Sequence, residues 1–259
     1  MQVARAVTSG GAQQFPHPRG EGGIMALLAA SERGFLTRQQ VRQRITRIVA
    51  FLGKAERHHG VFSHFLHGST GKTIPFSPLD DGGDLVETAF LMMGLLCARE
   101  YFARNQPSEN CLRADINALW HAVEWSWHAR PDRDALLWHW SPQHQWAMNH
   151  AITGWNEALV VYVLACASPT HAVAPERYHQ GWTASPHFRN GNQYHGIELP
   201  LGPPSGGPLF FSHYSFMGLD PRGSVDRYAD CFEQDRAHTL HNRAHGLQNS
   251  HAYAGYGED

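Results

Sequence analysis

Ser77-Pro78-Leu79-Asp80-Asp81-Gly82-Gly83-Asp84-Leu85-Val86-Glu87-Thr88-Ala89-Phe90 packs four carboxylates into eight positions and then enters one of the most apolar segments of the chain. From Leu85 to Phe102 the sequence offers Leu, Val, Ala, Phe, Met, Cys and Tyr with hardly a polar break. A surface helix carries a polar stripe, whereas a helix that is apolar all round is buried on every side. Asp80 or Asp81 is placed to cap it, and Gly82-Gly83 let the backbone turn tightly at its entry. Asp84 and Glu87 then fall at i and i+3, on one face of the first turns. Two readings follow. The acids either suit the positive end of the helix dipole, or they line a wet cavity, since an ionised carboxylate buried without a partner is expensive.

Working outward, a helix is expected from about Gly22 to Arg33, stopped by Gly34. Thr37 and Gln40 form a capping box for a second helix to about Arg57, amphipathic and therefore outer. His58 to Thr73 reads as a short hairpin, and Glu109–His128 as another amphipathic helix. A second small hairpin is expected over Leu136–Trp140 and Gln145–Met148, turning at Ser141-Pro142. Trp155–Ala167 is the second helix apolar nearly all round, and Pro175–Trp182 a short helix with Pro in its first turn. Residues 183–225 read as Gly/Pro-rich loop with a β-like piece at Leu209–Phe211, and a last helix covers about Val225–His245. Inner apolar helices alternating with outer amphipathic ones describe an all-α fold of stacked αα-hairpins, with short β-hairpins in the loops. The count, about seven, is too small to close a ring, so the fold is expected to be incomplete at its C-terminus.

Glu157 opens the second apolar helix as Asp84 and Glu87 open the first. Carboxylates at the N-termini of parallel inner helices would face one mouth of a bundle, where one acid protonates a leaving oxygen and another activates water. An apolar wall such as Trp155 would raise the pKa of the acid and a helix N-terminus would lower it. The competing reading makes Glu157 an ordinary capping acid of the first turn.

Composition narrows the function. The 259 residues include 42% hydrophobic and 17% charged residues at a net charge of −2, which excludes disorder, a coiled coil and a polyanionic partner such as nucleic acid. No stretch reaches the ~20 apolar residues of a membrane span, and Met1–Gly11 lacks the apolar core of a signal peptide, so the chain as written would stay in the cytoplasm. The four Cys are widely spaced, without a CxxC, and read as buried thiols. The histidines, among them His58, His59, His64, His67, His139 and His144, lack HExxH spacing, and no metal or cofactor is expected.

The runs 24–35 (IMALLAASERGF), 74–90 (IPFSPLDDGGDLVETAF), 138–142 (WHWSP), 154–164 (GWNEALVVYVL), 168–171 (SPTH), 179–182 (HQGW), 199–202, 207–223 (GPLFFSHYSFMGLDPRG) and 255–259 (GYGED) resemble the glucoamylase-like domain. That domain occurs in bacterial endo-β-1,2-glucanases (glycoside hydrolase family 144) and within cyclic β-1,2-glucan synthases. The resemblance runs from about Gly22 to the end of the chain, with residues 1–21 as an irregular leading segment. It implies an (α/α)6 toroid over 22–259, partial at the C-terminus, and hydrolysis of β-1,2-glucan to short oligosaccharides with inversion, without a metal. It implies a periplasmic or secreted setting. Its acidic residues carry over onto Asp80, Asp84, Glu87 and Glu157, with Glu157 as general acid and the other three binding hydroxyls, holding water or tuning Glu157. Trp138, Trp140, Trp155, Asn156, His213, Tyr214, Asp220 and Arg222 are the implied sugar contacts. The alternatives are a carbohydrate-processing module of a synthase and a truncated, non-catalytic glycan-binding remnant. Residues 7–21 and the missing further helices are where this chain departs from the family.

Overall fold

Helix accounts for 45% of the described residues, and strand among them is confined to three two-stranded antiparallel pairs. The computed structural model describes residues 20–248 and 251–257, so the irregular segment expected at the N-terminus lies, up to residue 19, outside them. The chain groups into two compact units, Met1–Ala151 with Val161–Ala174, and Ile152–Val160 with Pro175–Asp259.

The first unit holds α1 (Gly20–Glu32), α2 (Arg38–Leu52), α3 (Leu85–Tyr101) and α4 (Pro107–His121). The capping box forms as the sequence requires. Thr37 Oγ accepts the Gln40 N–H at 3.2 Å, and Gln40 Oε1 accepts the Thr37 N–H at 2.9 Å. Helix α2 turns Val41, Ile45, Val49 and Leu52 inward. It stops five residues earlier than expected, because the chain beyond Gly53 is spent on a turn in which the Glu56 N–H bonds the Gly71 carbonyl at 2.8 Å.

Helix α3 buries ten of its residues, including Leu85, Phe90, Met92 and Leu95, and packs against α1 and α4. Arg38 ties α2 to α4: its guanidinium lies 3.0 Å from Glu109 Oε2 and stacks over Tyr101 and Phe102. Glu109 is only 1% exposed, yet its pKa falls. Burial alone would raise it, and the hydrogen bonds from Arg104, Arg38 and Gln106 outweigh that.

Three local expectations in this unit are corrected. The cap of α3 is Asp84 itself, since Asp80 closes a turn by paired backbone bonds with Ser77 and Asp81 follows that turn, ahead of the glycines. Helix α4 ends at His121, where Trp125 packs edge-on against Trp120 at 5.6 Å and a 3-10 turn, Trp125–His128, follows. The second hairpin forms only in part, as a turn at Ser141-Pro142 with isolated antiparallel bridges Ser141–Gln145 and Leu137–Ala151 in place of a ladder. The pair His139–Trp140 (β4) joins Gly83–Asp84 (β3) instead, and Gln145 closes a turn onto Ser141 with φ of 51°. Gly82 makes this possible, because a Cβ there would run into the Trp140 carbonyl and the Ser141 Cα. The expected pair from His58 to Thr73 does form, as Phe65–Leu66 (β1) against Thr73–Ile74 (β2).

Helix α5 (Leu159–Ala167) is shorter than expected, with residues 155–158 in a turn ahead of it. In the second unit, Arg189–Tyr194 (β5) pairs with Ile197–Leu201 (β6) inside the stretch read as loop. The pair turns at His195-Gly196, both with positive φ, which is the geometry of a two-residue hairpin turn. The segment read as β-like is helical instead, as α6 (Phe210–His213). The last helix, α7 (Cys231–Gln248), starts six residues later than expected, where Asp230 Oδ1 accepts the N–H groups of Phe232 and Glu233. Gln234 on α7 bonds both the N–H and the carbonyl of Leu201, fixing β6 to the helix. All four cysteines are free and none is fully buried, Cys111 being exposed, so the expectation of buried thiols does not hold.

Candidate active site

In the first unit, β3 and β4 carry the acids and the tryptophans of the WHWSP run onto one short ladder. Gly83 faces Trp140, Asp84 faces His139, and the Leu85 N–H bonds the Trp138 carbonyl at 2.8 Å. Asp84 is 1% exposed and fully employed. Its Oδ1 accepts the N–H groups of Val86 and Glu87, each at 3.0 Å, and its Oδ2 meets His64 Nδ1 at 3.0 Å. Burial alone would make the His64 imidazole harder to protonate, but the Asp84 bond and charge, with Glu87 and Asp80, hold its pKa above the ordinary value.

Asp80 sits beside this pair with a pKa raised to about 6, first by burial and then by the nearby Asp84 charge. Its Oδ1 lies 3.3 Å from His139 Nε2, the atom that already accepts the Gly82 N–H at 3.1 Å. Two acceptors therefore face each other there unless Asp80 carries a proton, in agreement with its raised pKa. One ligand atom from each of His64, Asp80 and Asp84 falls within 4.8 Å of the others, a donor set able to hold a cation. Asp84 has both oxygens engaged, so Asp80 Oδ1 and His64 Nε2 are the atoms lacking partners.

Aromatic rings flank these acids. Trp140 lies edge-on to His59 at 4.8 Å and to Trp127 at 5.8 Å, and His59 stacks on Trp127 at 3.7 Å. Trp127 is 39% exposed and Trp146 lies 6.2 Å from it, so two tryptophans missed in the sequence join the predicted Trp140. The sequence reads Trp127 as an apolar position of the helix expected over Glu109–His128, but it lies in the 3-10 turn after α4, and Trp146 lies in the turn after β4. Trp138 is half-buried against His150.

In the second unit, Gly154-Trp155-Asn156-Glu157 folds as a braced turn. Gly154 has φ of 81° and bonds the Trp182 carbonyl through its N–H. Asn156 bridges the turn, donating to the Thr153 carbonyl and accepting the Ala158 N–H at 2.9 Å. Ser215 donates to the Glu157 carbonyl at 2.7 Å and accepts the Val160 N–H at 3.0 Å. The buried Trp155 donates to Ser212 Oγ, which also meets His238 Nδ1 at 2.8 Å.

The Ala158 and Val160 N–H groups are taken by Asn156 and Ser215, and the backbone group that the Glu157 carboxylate meets is its own N–H, which lowers its pKa less than burial raises it. Its Oε2 is buried without a hydrogen-bond partner, and burial raises its pKa. The capping-acid reading is overturned. Asp235 on α7 is a second acid of this kind, unforeseen in the sequence, with burial raising its pKa to about 7. Among the remaining predicted contacts, His213 bonds Thr239 and Tyr214 is half-buried. Arg222 grips Asp220 through two bonds of 2.9 and 2.7 Å, both side chains exposed, so these two residues satisfy each other.

Residues 149–259 match the family model described as "putative glucoamylase". A curated protein of Parabacteroides distasonis, described as an exo β-1,2-glucooligosaccharide sophorohydrolase (non-reducing end), is 44% identical; the match covers 92% of this chain and 36% of that one. Among solved structures, a "putative glucoamylase" from Bacteroides uniformis is 51% identical at a TM-score of 0.89, over 92% of this chain and 58% of that one. An endo-β-1,2-glucanase from Chitinophaga pinensis, solved with sophorotriose and glucose, is 47% identical at 0.87, over 94% and 61%. The resemblance to the glucoamylase-like domain is thereby shown, and this chain spans between about a third and three-fifths of the length of those proteins.

Proposed function

We propose that this chain forms part of a glycoside hydrolase that cuts β-1,2-linked glucan to short oligosaccharides, with Glu157 as its general acid. One observation carries the assignment of the acid: Glu157 keeps a buried, unpartnered oxygen in a turn whose capping needs are met by other side chains. A carboxyl group whose pKa burial raises is suited to protonate a glycosidic oxygen as it leaves. The sugar specificity rests on the relatives, whose descriptions concern β-1,2-glucans.

The residues divide the work. Glu157 donates its proton to the departing oxygen, while water attacks the opposite face of the sugar, so the product emerges inverted. Asp80 and Glu87 act on sugar hydroxyls and ordered water, while Asp84 holds the start of α3 and His64 in place. Trp138 and Trp140 supply apolar walls, on which pyranose rings stack through their C–H faces, and the buried Trp155 backs the turn that carries Glu157. No step requires a metal. The fold is that of the (α/α)6 toroid, of which the helices here supply stacked αα-hairpins.

The test offers the purified chain linear β-1,2-glucan beside β-1,3-glucan and starch, following reducing ends and the anomer first formed. Release from β-1,2-glucan alone, with the α anomer appearing first, supports the proposal. Release from another polymer overturns the linkage, retention of the β anomer overturns inversion, and no release from any polymer overturns activity of this chain.

A further inference from the structure

In the second unit, the turn that carries Glu157 is held from a distant part of the chain. Ser212 lies in α6, and Ser215 opens the 3-10 turn Ser215–Met217 that follows it. Tyr214 between them is also helical, so the two serines, three residues apart, share one face. Both are buried. Ser212 accepts the Trp155 ring N–H at 3.2 Å, and Ser215 holds the Glu157 backbone at 2.7 Å. One short segment thus grips the turn on either side of Asn156.

A serine hydroxyl has one proton and two lone pairs. The proton of Ser215 goes to the Glu157 carbonyl, and a lone pair takes the Val160 N–H at 3.0 Å. That N–H is one of those at a helix start that find no partner within the helix. Ala158, the residue just ahead of α5, has no side-chain oxygen to offer it, and alanine is among the poorest N-caps. Glu157 stands three residues before Val160, the separation that a capping side chain spans. With Ser215 gone, its carboxylate is the acceptor closest in sequence for that N–H. A carboxylate that accepts a backbone N–H is stabilised in its charged form and gives up its proton at lower pH.

We infer that Ser215 is a positioning residue of the general acid: by occupying the Val160 N–H and the Glu157 carbonyl, it keeps the Glu157 carboxyl out of the cap of α5 and available to the glycosidic oxygen. This role rests on Glu157 being the acid proposed above. The segments around the turn carry Tyr178, His179, His187, His213, Asp235 and His238 as titratable groups. None of them adds a charge at Glu157, whose pKa is raised by burial and lowered by its own N–H. The titration of Glu157 therefore reports on its burial and its hydrogen bonds.

The carboxyl carbon of Glu157 is followed by NMR against pH in the full chain labelled at glutamate, its resonance identified by its absence from Glu157→Gln. Ser215→Ala should bring the titration down by about one pH unit or more. Ser215→Thr, which keeps the hydroxyl, should leave it where the parent has it. Ser215→Cys, close to serine in size but a weak acceptor, should move it in the same direction as alanine, and is read alone if the alanine variant does not fold. A merely structural serine would cost stability without moving the titration, so an unmoved titration in these two variants overturns the role. A shift in the threonine variant as large as in the alanine one overturns it too. Hydrolysis of β-1,2-glucan keeps acid and brace apart. Parent-like turnover by Glu157→Gln overturns the general acid whatever Ser215 does, whereas alanine and cysteine variants that titrate as the parent does overturn only the role of Ser215.

Discussion

Helices α3 and α5 open on similar sequence, an acid just ahead of an apolar run, but use that acid in opposite ways. At α3 the acid serves the backbone: Asp84 holds the N–H groups of Val86 and Glu87 and pairs with His64. At α5 that work passes to Asn156 and to Ser215, a residue distant in sequence, so the buried Glu157 carboxylate meets only its own backbone N–H and burial raises its pKa. A helix end needs only a few acceptors. When neighbours provide them, an acid at the same place becomes available for chemistry.

Mutations at the two helix starts should therefore separate activity from stability. The largest effect is expected from Glu157→Gln, which should slow β-1,2-glucan hydrolysis by about 10²- to 10⁴-fold. Its urea midpoint should match that of the parent or exceed it. Asp84→Ala should act on folding instead. It removes an N-cap and leaves His64 and two backbone N–H groups unserved, a loss of about 2–4 kcal/mol in chemical denaturation.

Proton-holding acids sharpen the contrast through pH. Asp80 and Asp235 have folded pKa values raised to about 6 and about 7 from 3.8. For a carboxyl group raised in this way, the stabilising contribution is complete below the unfolded value and is lost as pH rises through the folded one. Asp80→Asn and Asp235→Asn should each stabilise the protein at pH 8, on the order of 1–3 kcal/mol, and the gain should vanish near pH 3.5. Denaturation midpoints at the two pH values measure it; an equal gain at both would mean that the proton plays no part. The smallest effect belongs to Arg222→Ala. Its partner Asp220 is exposed and lies two residues away, so the thermal midpoint should not move measurably.

The helices of the apolar core were readable because hydrophobic period alone specifies them, as α2 with its capping box shows. The strands were harder to read. β3–β4 depends on Gly82 having no side chain beneath Trp140, and β5–β6 on a two-residue turn at His195-Gly196, set among polar residues without alternation. The acids themselves stood out in the sequence, but their state did not. Nothing around Glu157 in the chain announces that Ser215 would relieve it, and Asp235 looks like any polar residue of a charged helix until its burial is known.

Glu157 as a general acid whose pKa burial raises is tested most directly by the pH profile of β-1,2-glucan hydrolysis beside that of Glu157→Gln. Activity should persist above the ordinary titration range of a glutamate, fall on the alkaline side as Glu157 loses its proton, and be nearly absent from the variant at every pH while its unfolding curve matches the parent's. A variant that keeps the parent's turnover and alkaline limb would contradict the assignment.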